Sequence, residues 1–481
     1  MGNPLFRTKS IERILADSDV PEHRLKRSLT AWDLTGLGIG AIIGTGIFVL
    51  IGTAIVGDAH RPGAGPGIVL SFILSGITCG LAALCYAEFA AMIPVAGSAY
   101  TYSYATLGEF LAWLTGWNLI LEYGVACVAV AIGWSGYFNN ILTLMGLELP
   151  YWATHPPGSD GGIANIPAAV IVLLVTTILI IGVKESARAT GIIVIIKLAV
   201  ILFFISVGVS SVDTANWSPF MPFGFAGVGA AAAIVFFAYI GFDAVSTTAE
   251  EAKNPQRDLP IGIFASLAIC TLLYIAVAAV LTGLVPYAKI DVHAPVAEGL
   301  RVAGFKWGAA IVATGAVAGI TSVLVVMMMG QIRVFFAMSR DGLLGPWLSG
   351  VHPKFRTPHH ATYLTGVAVA IMSALIPIGE AADMTNIGTL FAFALVCIGI
   401  LVLRYTRPNH PRPFRIPFMP VVPVLGVLAC VGLMYFLPWM TWIRFLVWTI
   451  VGVVVYTMYG LRHSKLATQP STEQTDISRP T

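Results

Sequence analysis

The chain has 481 residues, 57% hydrophobic and only 11% charged, with a net charge of +3 and a mean hydropathy of +0.84. Soluble domains carry about 25% charged residues, so the composition excludes a soluble enzyme and points to an all-α polytopic membrane protein; the near-neutral balance gives no sign of nucleic-acid binding. The six cysteines lie in apolar runs without paired spacing and the nine histidines in loops or termini, so no disulfide, metal, haem or other cofactor is expected.

Residues 1–30 are charged and lack an early apolar run, which reads as a cytoplasmic N-terminal segment rather than a cleaved signal, with a short surface helix in IERILADSDV. Twelve transmembrane helices are expected near 31–56, 66–93, 103–146, 166–184, 188–210, 226–252, 260–286, 306–338, 360–379, 383–404, 417–437 and 440–461, each longer than the roughly 17 residues a span needs. The third segment is too long for one straight helix. The tail at 465–481 is polar and expected to be disordered. Twenty-one of the 27 Lys and Arg fall on the side of the termini and five on the other, with Lys197 inside a span. The positive-inside rule then places both termini in the cytoplasm of a cell that holds the chain in its plasma membrane.

The first span contains GIGAIIGTGIF, four glycines in eleven residues, each costing a helix about 1 kcal/mol relative to alanine. By itself this suits either a close helix contact, since Gly36, Gly40 and Gly44 are four apart, or a helix that breaks. The sixth span is apolar to Phe237 and then carries Gly241, Asp243, Ser246 and Thr247 at membrane depth. Asp243 is placed to cap a new helix start after a break near 239–241. Spans 1 and 6 are five apart, an odd number, so a five-helix repeat (31–210, then 226–404) returns inverted, with 417–461 as two extra helices. Paired broken helices in inverted halves mark the central site of a secondary transporter. Their exposed N–H and C=O ends suit a zwitterion such as an amino acid.

Two other charges lie deep. Lys197 stands nine residues beyond Arg188, about 13 Å into the bilayer, at an insertion cost of roughly 2.5–3.5 kcal/mol. Glu122, in WNLILEYGVACVAV, is a buried carboxylate that can carry a proton or meet a substrate ammonium, or else closes an interhelical hydrogen bond.

GLGIGAIIGTGIFVL (36–50), CYAEFAAMIPVAGSAYTYSYATLGE (85–109), FFAYIGFDAVSTTAEEAKNPQRDLPIGI (236–263), MSRDGLLGP (338–346) and RPFRIPFMPVVP (412–423) resemble signatures of the amino acid–polyamine–organocation superfamily. Within it the chain is similar to bacterial members of the cationic amino acid transporter family. The resemblance implies the 5+5 inverted-repeat fold of the leucine transporter with broken helices 1 and 6 plus two extra helices. It implies a substrate carboxylate near Thr45 and Gly46 in the turn with Ile43, an ammonium near the carbonyls of Ile42, Phe237, Ala238 and Ile240, and Phe237 as a gate. It also implies that Lys197 stands where sodium-coupled relatives hold sodium, as a titrating proton carrier or as a fixed charge tying helix 5 to helix 1. Met327 aligns with the side-chain end of the pocket, where larger-substrate relatives carry a small residue.

The expected function is therefore a proton-coupled importer of small neutral L-amino acids such as alanine, with proton coupling at Glu122 or Lys197. Arginine or lysine transport, amino acid exchange, and a non-transporting nutrient sensor are the alternatives. A membrane enzyme would need a clustered catalytic set and a channel a pore loop or charge ring, and neither is visible. Expected partners are the amino acid, the proton and membrane lipid; a small membrane accessory subunit is not readable from the sequence.

Overall fold

The computed structural model describes residues 7–9, 11, 14, 27–95, 98–159, 161–182 and 187–468. Most of IERILADSDV, and the tail beyond 468, lie outside the described residues; Lys465–Thr468, expected to be disordered, form a helical turn. The first span is split into α1 (Ala31–Ile42) and α2 (Gly46–Val56), inclined by 43°. Then come α3 (Ile68–Met92), α4 (Ser98–Thr106), α5 (Glu109–Leu144), α6 (Ile166–Ile181), α7 (Ala187–Gly208) and α8 (Gly224–Val235). Two 3-10 segments, Phe236–Tyr239 and Asp243–Glu251, complete the sixth span. The remaining helices are α9 (Pro255–Leu284), α10 (Pro295–Val302), α11 (Lys306–Arg340), α12 (His359–Leu375), α13 (Ile378–Thr406), α14 (Val421–Tyr435) and α15 (Trp439–Val455).

Local chemistry explains where these elements start and stop. Thr30 opens α1 with a reciprocal cap: its hydroxyl accepts the Asp33 N–H at 3.4 Å, and Asp33 accepts the Thr30 N–H at 2.9 Å. The overlong third segment divides at Gly108, whose φ of 94° a side chain would strain. Among the described residues, eight helical stretches are long and apolar enough to cross a membrane, and the bent α1–α2 pair adds a ninth. Three more, α6, α12 and α14, have only 16, 17 and 15 residues, at or below the length each span is expected to exceed. The apolar run of α6 continues past its helix because the chain turns at Gly182, with φ 96°.

Four of the five counterpart pairs of the two expected repeats pack on each other: α3 on α9, α5 on α11, α6 on α12, and the pieces of span 1 on those of span 6. Both ends of the described chain meet at one end of the bundle. There the Glu109 N–H donates to the Arg7 carbonyl at 2.8 Å and the Lys465 N–H to the Asp341 carbonyl at 3.1 Å. The Glu109 carboxylate, fully buried, accepts from Ser464 Oγ at 2.6 Å, Tyr456 Oη at 3.0 Å and Tyr104 Oη at 3.2 Å. This is called the terminal end below.

Candidate functional site

The two helix breaks face each other at the centre of the bundle. In span 1 the α-helical pattern stops at Ile43, whose ψ is 107°, and resumes with Gly46 in a wider turn running to Leu50. In span 6 the break lies at Ile240 (ψ 134°) and Gly241 (φ 117°), within the stretch expected to unwind. Glycine is required at both places by close approach. A Cβ on Gly46 would overlap Ala238 Cα, and one on Gly241 would lie 3.0 Å from the Ala41 carbonyl. Each break thus seats its glycine on the other's backbone.

Hydrogen bonding at the breaks is selective. Lys197, 0% exposed, donates from Nζ to the carbonyls of Gly40 at 2.6 Å and Ile43 at 3.0 Å. Its stem lies along Gly319 of α11. These two hydrogen bonds tie α7 to the carbonyl end of α1. Tyr274 of α9 bridges the breaks, its hydroxyl lying 3.0 Å from the Ile42 carbonyl and 2.9 Å from the Ala238 carbonyl. Nothing in the sequence singled out Tyr274, because a tyrosine in an apolar helix reads as core.

Asp243 does not cap the following helix as expected. Its Oδ1 accepts the N–H of Gly241, two residues back, at 3.2 Å, and the 3-10 segment begins without a side-chain cap. The backbone at Ile240–Gly241 is turned so that this N–H, rather than one further along, meets the carboxylate. Asp243 Oδ2 accepts from Tyr123 Oη of α5 at 3.2 Å.

A small cavity, with about 10 Å³ of open space, lies between the breaks. Of the residues expected to bind substrate, Ile42, Thr45, Gly46, Phe237, Ile240 and Met327 line it. Ile43, Ala238 and Glu122 do not. Ile43 turns its carbonyl to Lys197, and Ala238 packs under Gly46. On α5 the cavity wall is formed by Ala126 and Val130, one and two turns beyond Glu122. Glu122 instead lies within electrostatic range of Asp243 and beside the Thr389 hydroxyl, buried, with neither oxygen in a well-formed hydrogen bond. Sequence reasoning also missed Gly44 and Val323 on the wall; small apolar residues carry no signal that separates a wall from ordinary packing. Thr45 Oγ1 is buried and unpartnered at the cavity, and the first N–H groups of the resumed helix have no intrahelical acceptor. The site thus offers N–H donors and a hydroxyl at one wall, apolar side chains between, and carbonyls of which those of Ile42, Ile43 and Ala238 already accept from Tyr274 or Lys197.

Ion pairs stand at both ends of the bundle. At the terminal end, Glu88, fully buried, binds Arg404 in two-pronged fashion at 3.0 and 2.7 Å, accepts the Ile416 N–H at 2.8 Å, and lies 3.3 Å from Arg412. At the opposite end, Arg61 joins Asp58 at 2.8 Å and Asp383 at 2.9 Å.

A family model described as amino acid permease matches residues 29–457, and the chain belongs to that family. It is 51% identical over 470 residues to the branched-chain amino acid permease BcaP of Bacillus subtilis (strain 168), covering 97% of this chain and 100% of that protein. It is 50% identical over 463 residues to the methylthioribose transporter of the same organism, covering 96% and 99%. Cationic amino acid transporter 2, vacuolar, of Arabidopsis thaliana is 40% identical over 415 residues, covering 84% of this chain and 64% of that protein.

Proposed function

We propose that this amino acid permease is a proton-coupled importer of neutral aliphatic L-amino acids. It would act in the cell membrane by alternating access, with both termini in the cytoplasm. One observation carries the substrate class: the cavity between the breaks is walled by Ala126, Val130, Val323, Met327, Ile240 and Phe237, with no charged side chain among its lining. An arginine or lysine side chain there would leave a cation without a partner in a low-dielectric site, at a cost of several kcal/mol. The cavity as it stands holds about one water, so any amino acid needs Phe237 or Met327 to move aside; an aliphatic side chain then meets mainly apolar surface.

The substrate's two charges have complementary ends waiting. Its carboxylate suits the N–H groups at Thr45–Gly46 and the Thr45 hydroxyl, and its ammonium suits the carbonyls near Ile42, Phe237, Ala238 and Ile240. Identity alone does not choose between an amino acid and methylthioribose, since the two Bacillus relatives are equally similar. The paired helix ends favour the amino acid, because a neutral sugar has no charge for either.

Coupling to a proton is supported by Lys197, whose ammonium meets the carbonyls of Gly40 and Ile43 at the span 1 break, and by Glu122, a carboxylate buried beside Asp243. A transmembrane field contributes about 2.3 kcal/mol per charge per 100 mV, enough for one proton per cycle to drive accumulation.

The test is uptake of labelled alanine, leucine, arginine and methylthioribose into proteoliposomes without sodium, with and without an inward proton gradient. Gradient-stimulated uptake of alanine or leucine supports the proposal. Arginine uptake, or neutral amino acid uptake indifferent to the gradient, overturns its substrate or its coupling respectively.

A further inference from the structure

With 30 residues, α9 is about 45 Å long, the thickness of a bilayer with its headgroup layers rather than of the hydrocarbon core alone. Its first turn, at the terminal end, therefore stands at headgroup level. A groove of about 530 Å³ opens there between α9 and the segment that follows α13. Arg257 lies at its rim, and Pro260, Ile261 and Phe264 of α9 face Pro413 and Phe414 across it. The rings of Phe264 and Phe414 are 5.9 Å apart.

The spacing of this wall is informative. Residues 257, 261 and 264 fall on one helix face, so a cation stands about 6 Å above an apolar stripe. The stripe continues toward the bilayer centre, with Ile261 41% and Leu272 69% exposed. Arg415, next to Phe414, is exposed as well, and so is Lys253. The nearest acidic residue on α9, Asp258, is buried and accepts the Asn254 N–H at 3.2 Å, and among the described residues no ion pair joins it to Arg257. An anion followed by an aliphatic chain fits this order of charge and depth. The C-terminal segment STEQTDISRP carries Glu473 and Asp476 but only one apolar residue, Ile477, and so cannot fill the apolar wall.

We propose that this groove binds one anionic phospholipid of the adjacent leaflet, its phosphate at Arg257 with Arg415 beside it, and an acyl chain along Ile261 and Phe264. The bound lipid joins α9 to the segment carrying Arg412 and Ile416, and hence to the Glu88 ion cluster. It holds the terminal end of the bundle together independently of what the central site transports.

Native mass spectrometry of the full chain, titrated separately with phosphatidylglycerol and phosphatidylcholine, tests this. One retained phosphatidylglycerol is expected, with a preference of about fivefold per basic residue engaged. Arg257→Ala should cut that preference about fivefold, Arg257→Lys should keep most of it, and Ala265→Trp, which fills the groove at acyl depth, should lose the lipid with Arg257 intact. Equal retention of both lipids by the unaltered protein overturns the proposal. So does loss in Arg257→Ala without loss in Ala265→Trp, or displacement by millimolar inorganic phosphate, since each means a bare anion site. If removing residues 469–481 is needed before lipid binds, the tail is the occupant and the proposal also falls. Unchanged chromatographic behaviour and unfolding temperature of Arg257→Lys and Ala265→Trp guard against misfolding.

Discussion

The two helix breaks solve the same problem with opposite charges. In span 1 the broken carbonyl end is held by a cation from another helix, Lys197, on the carbonyls of Gly40 and Ile43. In span 6 the N–H of Gly241 is held by a local anion, Asp243, itself steadied by Tyr123. The cation serves carbonyls in span 1 and the anion an N–H in span 6, while the Thr45 hydroxyl stays unpartnered and the Phe237 carbonyl accepts the Ile240 N–H at 3.3 Å. Tyr274 then ties the two fixed frames together.

If the span 1 break depends on a charge supplied from α7, Lys197→Met should be the most damaging change. It leaves two buried carbonyls without a donor, about 1–3 kcal/mol each, and should reduce uptake at least about a hundredfold, the size of a 2.8 kcal/mol loss. Near-normal uptake would mean that the break holds itself open. Gly46→Ala comes next, because even one methyl overlaps the Ala238 backbone. Loss of ligand-induced thermal stabilisation is expected, and retained stabilisation would show that the breaks need not touch. Tyr274→Phe removes the link but neither frame, so a smaller fall of about tenfold in uptake is expected; a loss as deep as that of Lys197→Met would make the link, rather than the charges, the main support. Met327→Ser leaves both breaks alone and should move selectivity toward longer side chains, measured by competition against labelled alanine.

The mildest effect lies outside the membrane. Burial acts to raise the Asp58 carboxyl, but the charge of Arg61 and its hydrogen bonds, with the N–H groups of His60 and Arg61, hold it below the usual carboxylate range. A lowered folded-state value means stability that is present at neutral pH and lost as the pH falls through that value. The unfolding temperatures of the wild type and Asp58→Asn should therefore differ at pH 7 and converge below about pH 4. A gap that persists in acid would show that Asp58 acts through packing.

Both breaks were legible in the sequence because they violate the rule for lipid-embedded helices: glycine density at 38–46 and polar residues after Phe237 have few other uses there. Lys197 was legible from its depth. Glu122 was recognised as deep but assigned to the cavity; it shares a face of α5 with Ala126 and Val130 of the wall, and the difference is one turn of depth, finer than span boundaries read from sequence. The role of Asp243 depended on how the backbone turns at Ile240–Gly241, which no spacing reveals. The partners of Glu88 were illegible for another reason, because they lie far along the chain and only tertiary packing brings them together.

That separation has a consequence for how the protein is made. Glu88 and Arg404 are 316 residues apart, so at about 5–20 residues per second the ribosome needs roughly 15–60 s to deliver the arginine after the glutamate. Throughout that interval α3 holds a carboxylate that its final neighbours will bury but cannot yet neutralise. The early helices therefore remain provisional in the membrane until α13 arrives, and a chain cut short before it offers quality-control proteases an unpaired charge as a mark of incompleteness.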